Sequence, residues 1–361
     1  MPPLRENVLA AAGYIPGEQP ADTTTIKLNT NENPYPPSPR VMEAIRAVTA
    51  EQLRRYPNPN ARPFREAAGH VHGVPADWIM AFNGGDELLS VAIRAAAGEH
   101  DAVAYLEPSY SLYPVLTEMN GSRAIRIPYT IDGTRWQLPA AIESTPAKIL
   151  LIVNPNAPSG HLDALDRLAE IAGRFPGLLV IDEAYVDFAP ASALDLVKQF
   201  ANVLLLRTMS KGYSLAGLRF GYAIGQPELL RQVEKVRDSY PVDALAIAAA
   251  TAAIEDQPHA RDTWEKVKAE RVRMTAELQA LGFSMPESHS NFLLATVPAG
   301  PGKPAAKQVY EILKSRGILI RWWDLPRIAD KIRITIGTPD QNNRLLTELR
   351  ALLGATERLE Q

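Results

Sequence analysis

The chain has 361 residues, with 41 acidic against 38 basic side chains and no cysteine. A near-neutral balance without blocks of like charge gives no reason to expect nucleic acid or an anionic membrane as partner, and the missing thiols exclude disulfides, thiolate nucleophiles and cysteine-ligated zinc. The length suits one large core and a second, smaller one. Its apolar runs are strand-length, short of the roughly 20 residues that cross a bilayer. The opening MPPLRENVLAAAGY lacks the apolar core of a signal peptide, so a soluble, cytoplasmic protein is expected.

Residues 1–37 are rich in Pro, Asn and Thr, lack sustained periodicity and read as an extended arm. Ser38 and Pro39 open a helix with Val41, Ile45 and Val48 on one face. The turn-rich Arg54–Asn60 follows, then a short helix over 61–74. An alternation begins at the candidate strand Trp78–Phe82. It turns at Asn83-Gly84-Gly85 into a helix carrying Leu88, Leu89, Ala92, Ile93 and Ala96. Further strands are expected at 102–106, 124–127, 149–153, 178–181, 203–206 and 221–224, with helical patterns between several of them. Near-continuous apolar strands separated by helices indicate an α/β fold, with a mainly parallel sheet covered on both faces. After residue 240 the pattern changes to two helices (244–255 and 260–281), strands at 292–296, 318–321 and 331–336, and a helix capped by Thr338-Pro339-Asp340-Gln341 and stopped by Gly354. The expected organisation is an arm (1–37), a large α/β domain (38–240) and a smaller α+β domain (241–361).

Lys211 follows the strand Val203–Leu206, in Thr208-Met209-Ser210-Lys211-Gly212. Ligands of open α/β sheets bind beyond that strand edge. A lysine partly desolvated there loses its proton readily and serves as nucleophile or base. Thr208, Ser210 and Arg219 could surround an anion beside it. Asp182, ending the strand 178–181, could face the same crevice and hold a positive ring nitrogen or a metal, or could cap the next element. Gly84-Gly85-Asp86 could present helix N-terminal amides to a phosphate, or form only a tight turn. Tyr110 could stack on a planar ligand or pack in the core. Arg333 points away from Ile332 and Ile334 and could grip a carboxylate with two prongs, or be an exposed strand residue. The six histidines have neither metal-site spacing nor a Ser/His/Asp arrangement.

Taken in order, these residues resemble the fold-type I pyridoxal-phosphate aminotransferases, and within them the histidinol-phosphate aminotransferases. The resemblance runs through Tyr14-Ile15-Pro16-Gly17, Leu28–Tyr35, Arg55-Tyr56-Pro57, Gly84–Glu87, Pro108-Ser109-Tyr110, Asn154–Gly160, Asp182–Tyr185, Ser210-Lys211, Leu215–Arg219 and Arg333-Ile334-Thr335. It implies that Lys211 is the Schiff-base lysine and proton shuttle. Asp182 would partner the pyridinium nitrogen, so that the ring acts as an electron sink. Tyr185 would reach the ring's phenolic oxygen, and Tyr110 would stack on the ring. Gly85, Asp86, Thr208, Ser210 and Arg219 would form the phosphate cup. Tyr56 would reach the cofactor phosphate of the other subunit, which implies a homodimer. Arg333 would hold the substrate carboxylate with Asn291 nearby, and Tyr14 and Arg321 would hold the substrate's own phosphate.

One departure stands out. The family usually has Asn before the proline of its NPTG-like loop, bonded to the phenolic oxygen; here that position is Ala157. Asn156 or Asn154 would take over, or Tyr185 would act alone, and loss of one such bond to a charged oxygen costs about 1.5–3 kcal/mol. Trp322 and Trp323 could narrow the substrate pocket. The implied reaction is transamination between histidinol phosphate and 2-oxoglutarate in histidine synthesis. An aromatic amino acid aminotransferase, a threonine-phosphate decarboxylase and a non-catalytic cofactor-binding regulator are the alternatives.

Overall fold

The structure, a computed structural model, describes residues 4–20, 22 and 24–354. Positions 1–3, 21 and 23 of the arm, and 355–361 at the C-terminal end, lie outside the described residues. Seven strands make the central sheet: β1 (Ile79–Phe82), β2 (Ala102–Glu107), β3 (Arg123–Pro128), β4 (Ile149–Val153), β5 (Leu178–Asp182), β6 (Val203–Thr208) and β7 (Gly221–Ile224). Their spatial order is β1-β7-β6-β5-β4-β2-β3. β7 runs antiparallel to both neighbours and the other pairings are parallel. This is the mainly parallel, mixed sheet that the apolar runs imply.

The sheet is buried on both faces because successive side chains point to opposite sides. Leu150, Ile152, Leu179, Ile181 and Leu205 enter one apolar cluster, and Ile149, Leu151, Val153, Val180, Leu204 and Leu206 enter the other. Both faces therefore need apolar residues, which erases alternation in β1, β4, β6 and β7. β3 sits at the edge, is exposed at alternate positions and carries Arg123 and Arg126, charges that discourage further strand addition.

A separate apolar cluster gathers Leu28, Phe188 and residues between Val267 and Leu349 around β8 (Phe292–Thr296) and β9 (Lys331–Thr335), which pair antiparallel. The helix Ala244–Glu255 packs with Pro39–Arg46 and Arg62–His72, and its apolar side belongs to the cluster of the central sheet. The final helix, Pro339–Leu353, has its Thr338/Gln341 capping box and ends at Gly354 in the left-handed region, φ 68°.

The arm is more structured than its composition suggests. The helix Glu6–Ala10 is tied to Leu112–Asn120 by Arg5 and Asn7, which donate to the carbonyls of Met119 (2.6 Å) and Glu118 (2.7 Å). Ile26–Lys27 pairs in parallel with Ile318–Leu319. A hairpin of Thr130–Asp132 and Arg135–Gln137 also forms outside the expected strands.

Candidate active site

The parallel strands finish at one edge, where Phe82, Gly221 and Thr208 form one cross-strand row and Asp182 stands beside Val153 and Leu206. Above this edge lies a cavity of about 990 Å³. Lys211, Asp182, Tyr185, Tyr110, Arg219 and Arg333 all line it.

Asp182 is only 4 % exposed. Its carboxylate accepts from the Tyr113 hydroxyl at 3.1 Å and the Ala184 amide at 3.0 Å, and no cation pairs with it among the described residues. Burial is the largest influence and lifts its pKa to about 6, against the two hydrogen bonds. A buried acid with donors on both oxygens and no counter-charge is prepared for a cation delivered from the cavity. Tyr113, the fully buried brace behind it, carries no motif in the sequence and was not anticipated.

Lys211 is placed by its neighbour. The Gly212 carbonyl accepts from Trp264 Nε1 (2.7 Å) and Asn33 Nδ2 (3.2 Å), and a Cβ at Gly212 would stand 2.0 Å from the Asp187 carboxylate. Glycine is therefore required for the loop to close against Asp187. The Lys211 ammonium donates to the Thr30 carbonyl at 2.9 Å. Burial first, then the Arg333 charge, push its pKa down to about 8. Such an amine is neutral in a useful fraction near neutral pH.

The anion cup forms where the first helix turn after β1 meets the loop before β7. Gly84 has φ +86°, and a Cβ there would lie 2.8 Å from Arg219 Nη2. Arg219 reaches Asp86 at 3.3 Å and the Ser210 hydroxyl at 3.4 Å. The other Asp86 oxygen accepts from Tyr110 at 3.0 Å. Asp86 thus orients Arg219 and Tyr110, while the first-turn amides have no intrahelical acceptor. Ser210's amide donates to the Thr208 hydroxyl at 3.1 Å, which shapes the loop.

A second cationic group stands across the cavity. Arg321 and Arg333 exchange backbone hydrogen bonds of 3.0 and 2.8 Å, an antiparallel bridge that puts both side chains on one face. Both guanidinium groups lie over the Trp323 ring, 5.4 and 5.0 Å from its centroid. Arg333 also donates to the Asn29 carbonyl at 2.9 Å, its Nε has no partner, and burial pushes its pKa down to about 10. Like charges side by side are destabilising until an anion comes between them. Tyr14 lines the same region, with its ring edge-on to Tyr110 at 6.3 Å. Trp323 lines the cavity, whereas Trp322 turns away to donate to the Ala329 carbonyl.

Three expected site residues are placed differently. Asn156 is fully buried and turned from the cavity, bonded to Ser109, Ser159 and the Pro108 carbonyl, while Ala157 faces the cavity. Asn154 is likewise committed to Asp163. The loop turns here, with the Gly160 amide donating to the Asn156 carbonyl at 2.7 Å, and that turn sends Asn156 inward and Ala157 to the cavity. Asn291 is also fully buried and braces the arm by donating to the Asn31 carbonyl at 2.9 Å. Tyr56 lies outside the cavity lining, 81 % exposed and stacked on Tyr240 at 4.5 Å.

Tyr14 and the segment Leu28–Tyr35 of the arm were singled out, but the backbone contribution of Asn29–Asn31 was missed. Three consecutive carbonyls, of Asn29, Thr30 and Asn31, accept from Arg333, Lys211 and Asn291. The alternating Asn29, Asn31 and Asn33 in a segment without apolar periodicity were the available signal.

The sequence signature of aminotransferase class I and II matches residues 23–349. Histidinol-phosphate aminotransferase 1 of Trichormus variabilis is 49% identical over 352 residues, 97% of this chain and 99% of its own length. The histidinol-phosphate aminotransferase of Citrifermentans bemidjiense is 45% identical over 350 residues, 97% and 98% of the two chains. Among solved structures, the histidinol-phosphate aminotransferase of Sinorhizobium meliloti in complex with pyridoxal-5'-phosphate superposes with a TM-score of 0.83 at 27% identity, covering 92% of this chain and 91% of that one.

Proposed function

The chain belongs to the class I and II aminotransferases, and from that premise we propose that it transfers the amino group of histidinol phosphate to 2-oxoglutarate in histidine synthesis. The reading rests most on the paired Arg321 and Arg333, a second anion grip built apart from the cup at Arg219. One cavity thus offers places for a cofactor phosphate and for an anion carried by the substrate.

The residues present fit pyridoxal phosphate. The unpaired buried acid Asp182 suits a protonated ring nitrogen, Lys211 offers an amine, and the glycine-lined cradle at Gly84 offers amides and Arg219 to a phosphate. When bound, pyridoxal phosphate supplies an aldehyde that condenses with amines and a ring that takes up electrons from the substrate carbon.

The chain's own residues then act as follows. Asp182 holds the ring nitrogen's proton. Tyr110 lies along the cavity wall to orient the ring. Gly85, Asp86, Thr208, Ser210 and Arg219 fix the phosphate end. Arg333 takes the phosphate of histidinol phosphate and the carboxylate of glutamate in turn, and Arg321 and Tyr14 add their grip on the phosphate. Lys211 Nζ, neutral in part because of its lowered pKa, would accept the proton from the substrate carbon and deliver it to the carbon of the cofactor's aldehyde group. We place Tyr56 on the cofactor phosphate of a second copy in a homodimer, a role supported by its exposure and its stacking on Tyr240. The same reading assigns the cofactor to a unit spanning 38–240, with a C-terminal unit from 241 contributing Arg321 and Arg333, and a cytoplasmic location. Among the described residues no helix is long and apolar enough to cross a membrane.

The test compares kcat/KM for histidinol phosphate and phenylalanine, each with 2-oxoglutarate, in the unsubstituted protein and in Arg321→Ala. Histidinol phosphate should be preferred, and Arg321→Ala should lower its kcat/KM about 10–100-fold, a charge-assisted contact's worth, with little loss for phenylalanine. Faster turnover of phenylalanine by the unsubstituted protein would overturn the substrate assignment.

A further inference from the structure

The hydroxyl of Tyr185 accepts a hydrogen bond from Asn31 Nδ2 at 2.9 Å. The direction of this bond is set by Thr335. Asn31's backbone N–H donates to Thr335 Oγ1 at 3.0 Å, and that hydroxyl lies 3.1 Å from Asn31 Oδ1. The hydroxyl accepts from that N–H, and among the described residues the acceptor its own proton finds is the amide oxygen. The amide nitrogen is left facing Tyr185. It cannot accept, so the phenolic proton must go elsewhere.

Elsewhere is the cavity. Tyr185 has no further hydrogen-bond partner among the described residues, it lines the cavity, and its ring is fixed edge-on against Phe292 at 5.0 Å. Asn31 is itself held in the left-handed region, φ 58°, with its carbonyl taken by Asn291. On the nearby loop Ala157 presents only a methyl group, and Asn156 is turned away.

We propose that Asn31 is a positioning residue that commits the Tyr185 hydroxyl to donate into the cavity, to the phenolic oxygen of the bound cofactor ring. The inference rests on the pyridoxal phosphate reading above. A donor at that oxygen lowers its basicity, and with it the pH at which the bound cofactor's visible absorbance changes. The charged and titratable groups facing Tyr185 are Arg333, Asp182, Tyr14, Tyr110 and Lys211. None of them is altered in the variants below.

The experiment titrates the visible absorbance of the protein loaded with pyridoxal phosphate. Asn31→Ala should raise the midpoint by about 0.5–1 pH unit, one neutral hydrogen bond's worth. Thr335→Val, which frees the amide to turn, should shift it the same way by less. Neither substitution should move the midpoint in a Tyr185→Phe background. An unmoved midpoint in a coloured Asn31→Ala protein, or the same shift without the Tyr185 hydroxyl, overturns the inference while leaving the cofactor assignment intact. If Asn31→Ala does not fold, Thr335→Val decides by the same criteria. An unsubstituted protein that develops no visible band with pyridoxal phosphate overturns both.

Discussion

Replacing Gly84 by alanine should damage cofactor binding more than folding. At φ +86° a residue with a Cβ is strained by roughly 1–2 kcal/mol. That should lower the melting temperature of the cofactor-free protein by about 1–3 °C. The larger effect comes from position. The new methyl carbon would lie 2.8 Å from Arg219 Nη2, so the guanidinium must move from its contacts with Asp86 and Ser210. Losing one hydrogen bond to a charged group costs roughly 1.5–3 kcal/mol, which is about 10–100-fold in dissociation constant. Absorbance titration with pyridoxal phosphate measures this, and thermal melts measure the strain. Gly217→Ala is the control, since a Cβ there meets nothing within 4 Å and the position has no positive φ. The reasoning is refuted if Gly84→Ala binds pyridoxal phosphate within about twofold of the parent, or if Gly217→Ala is equally harmful.

Three further outcomes are expected. Asp182 ionises near pH 6 in the folded protein against 3.8 ordinarily, so the native state holds more protons between those values and stability falls as pH rises through that window. Asp182→Asn should therefore stabilise the cofactor-free protein by roughly 3 kcal/mol near pH 7.5 and give no gain near pH 4, while weakening pyridoxal phosphate binding; equal melts at both pH values would contradict this. Borohydride capture of pyridoxal phosphate on Lys211 should rise with a midpoint near pH 8, where an ordinary lysine follows 10.5; peptide mapping that shows no rise until about pH 10 counts against the desolvated site. Arg333→Lys keeps the charge but loses the fork, and should raise KM for glutamate about 10–100-fold, whereas an unchanged KM would remove Arg333 from the substrate grip.

The central sheet was legible because it is buried on both faces, so its strands are runs such as Ile149–Val153 that no surface element can imitate. Lys211, Asp182 and Arg219 were legible for a related reason: each follows or precedes such a run and must emerge at the sheet's edge. The hairpin at 130–137 was missed because its strands are short and largely exposed. Asn156 and Asn154 stood beside Tyr185 as candidates because Ala157 has no donor, but which side chain faces the cavity depends on the path of the loop. The alternating asparagines of the arm mark Asn31, but its role was not legible because its partners, Tyr185 and Thr335, lie 154 and 304 positions away. Only the folded arm brings them together. Tyr113 likewise carries no motif, and only the fold puts this buried core residue's hydroxyl on Asp182.

The most direct measurement follows nitrogen. Histidinol phosphate labelled with ¹⁵N at its amine is incubated with 2-oxoglutarate and the protein loaded with pyridoxal phosphate, and glutamate is recovered and weighed by mass spectrometry. The label should appear in glutamate with the unsubstituted protein and be absent with Lys211→Ala. Unlabelled glutamate, or label transfer that persists without Lys211, would contradict the assignment of this chain's chemistry to that lysine and that substrate.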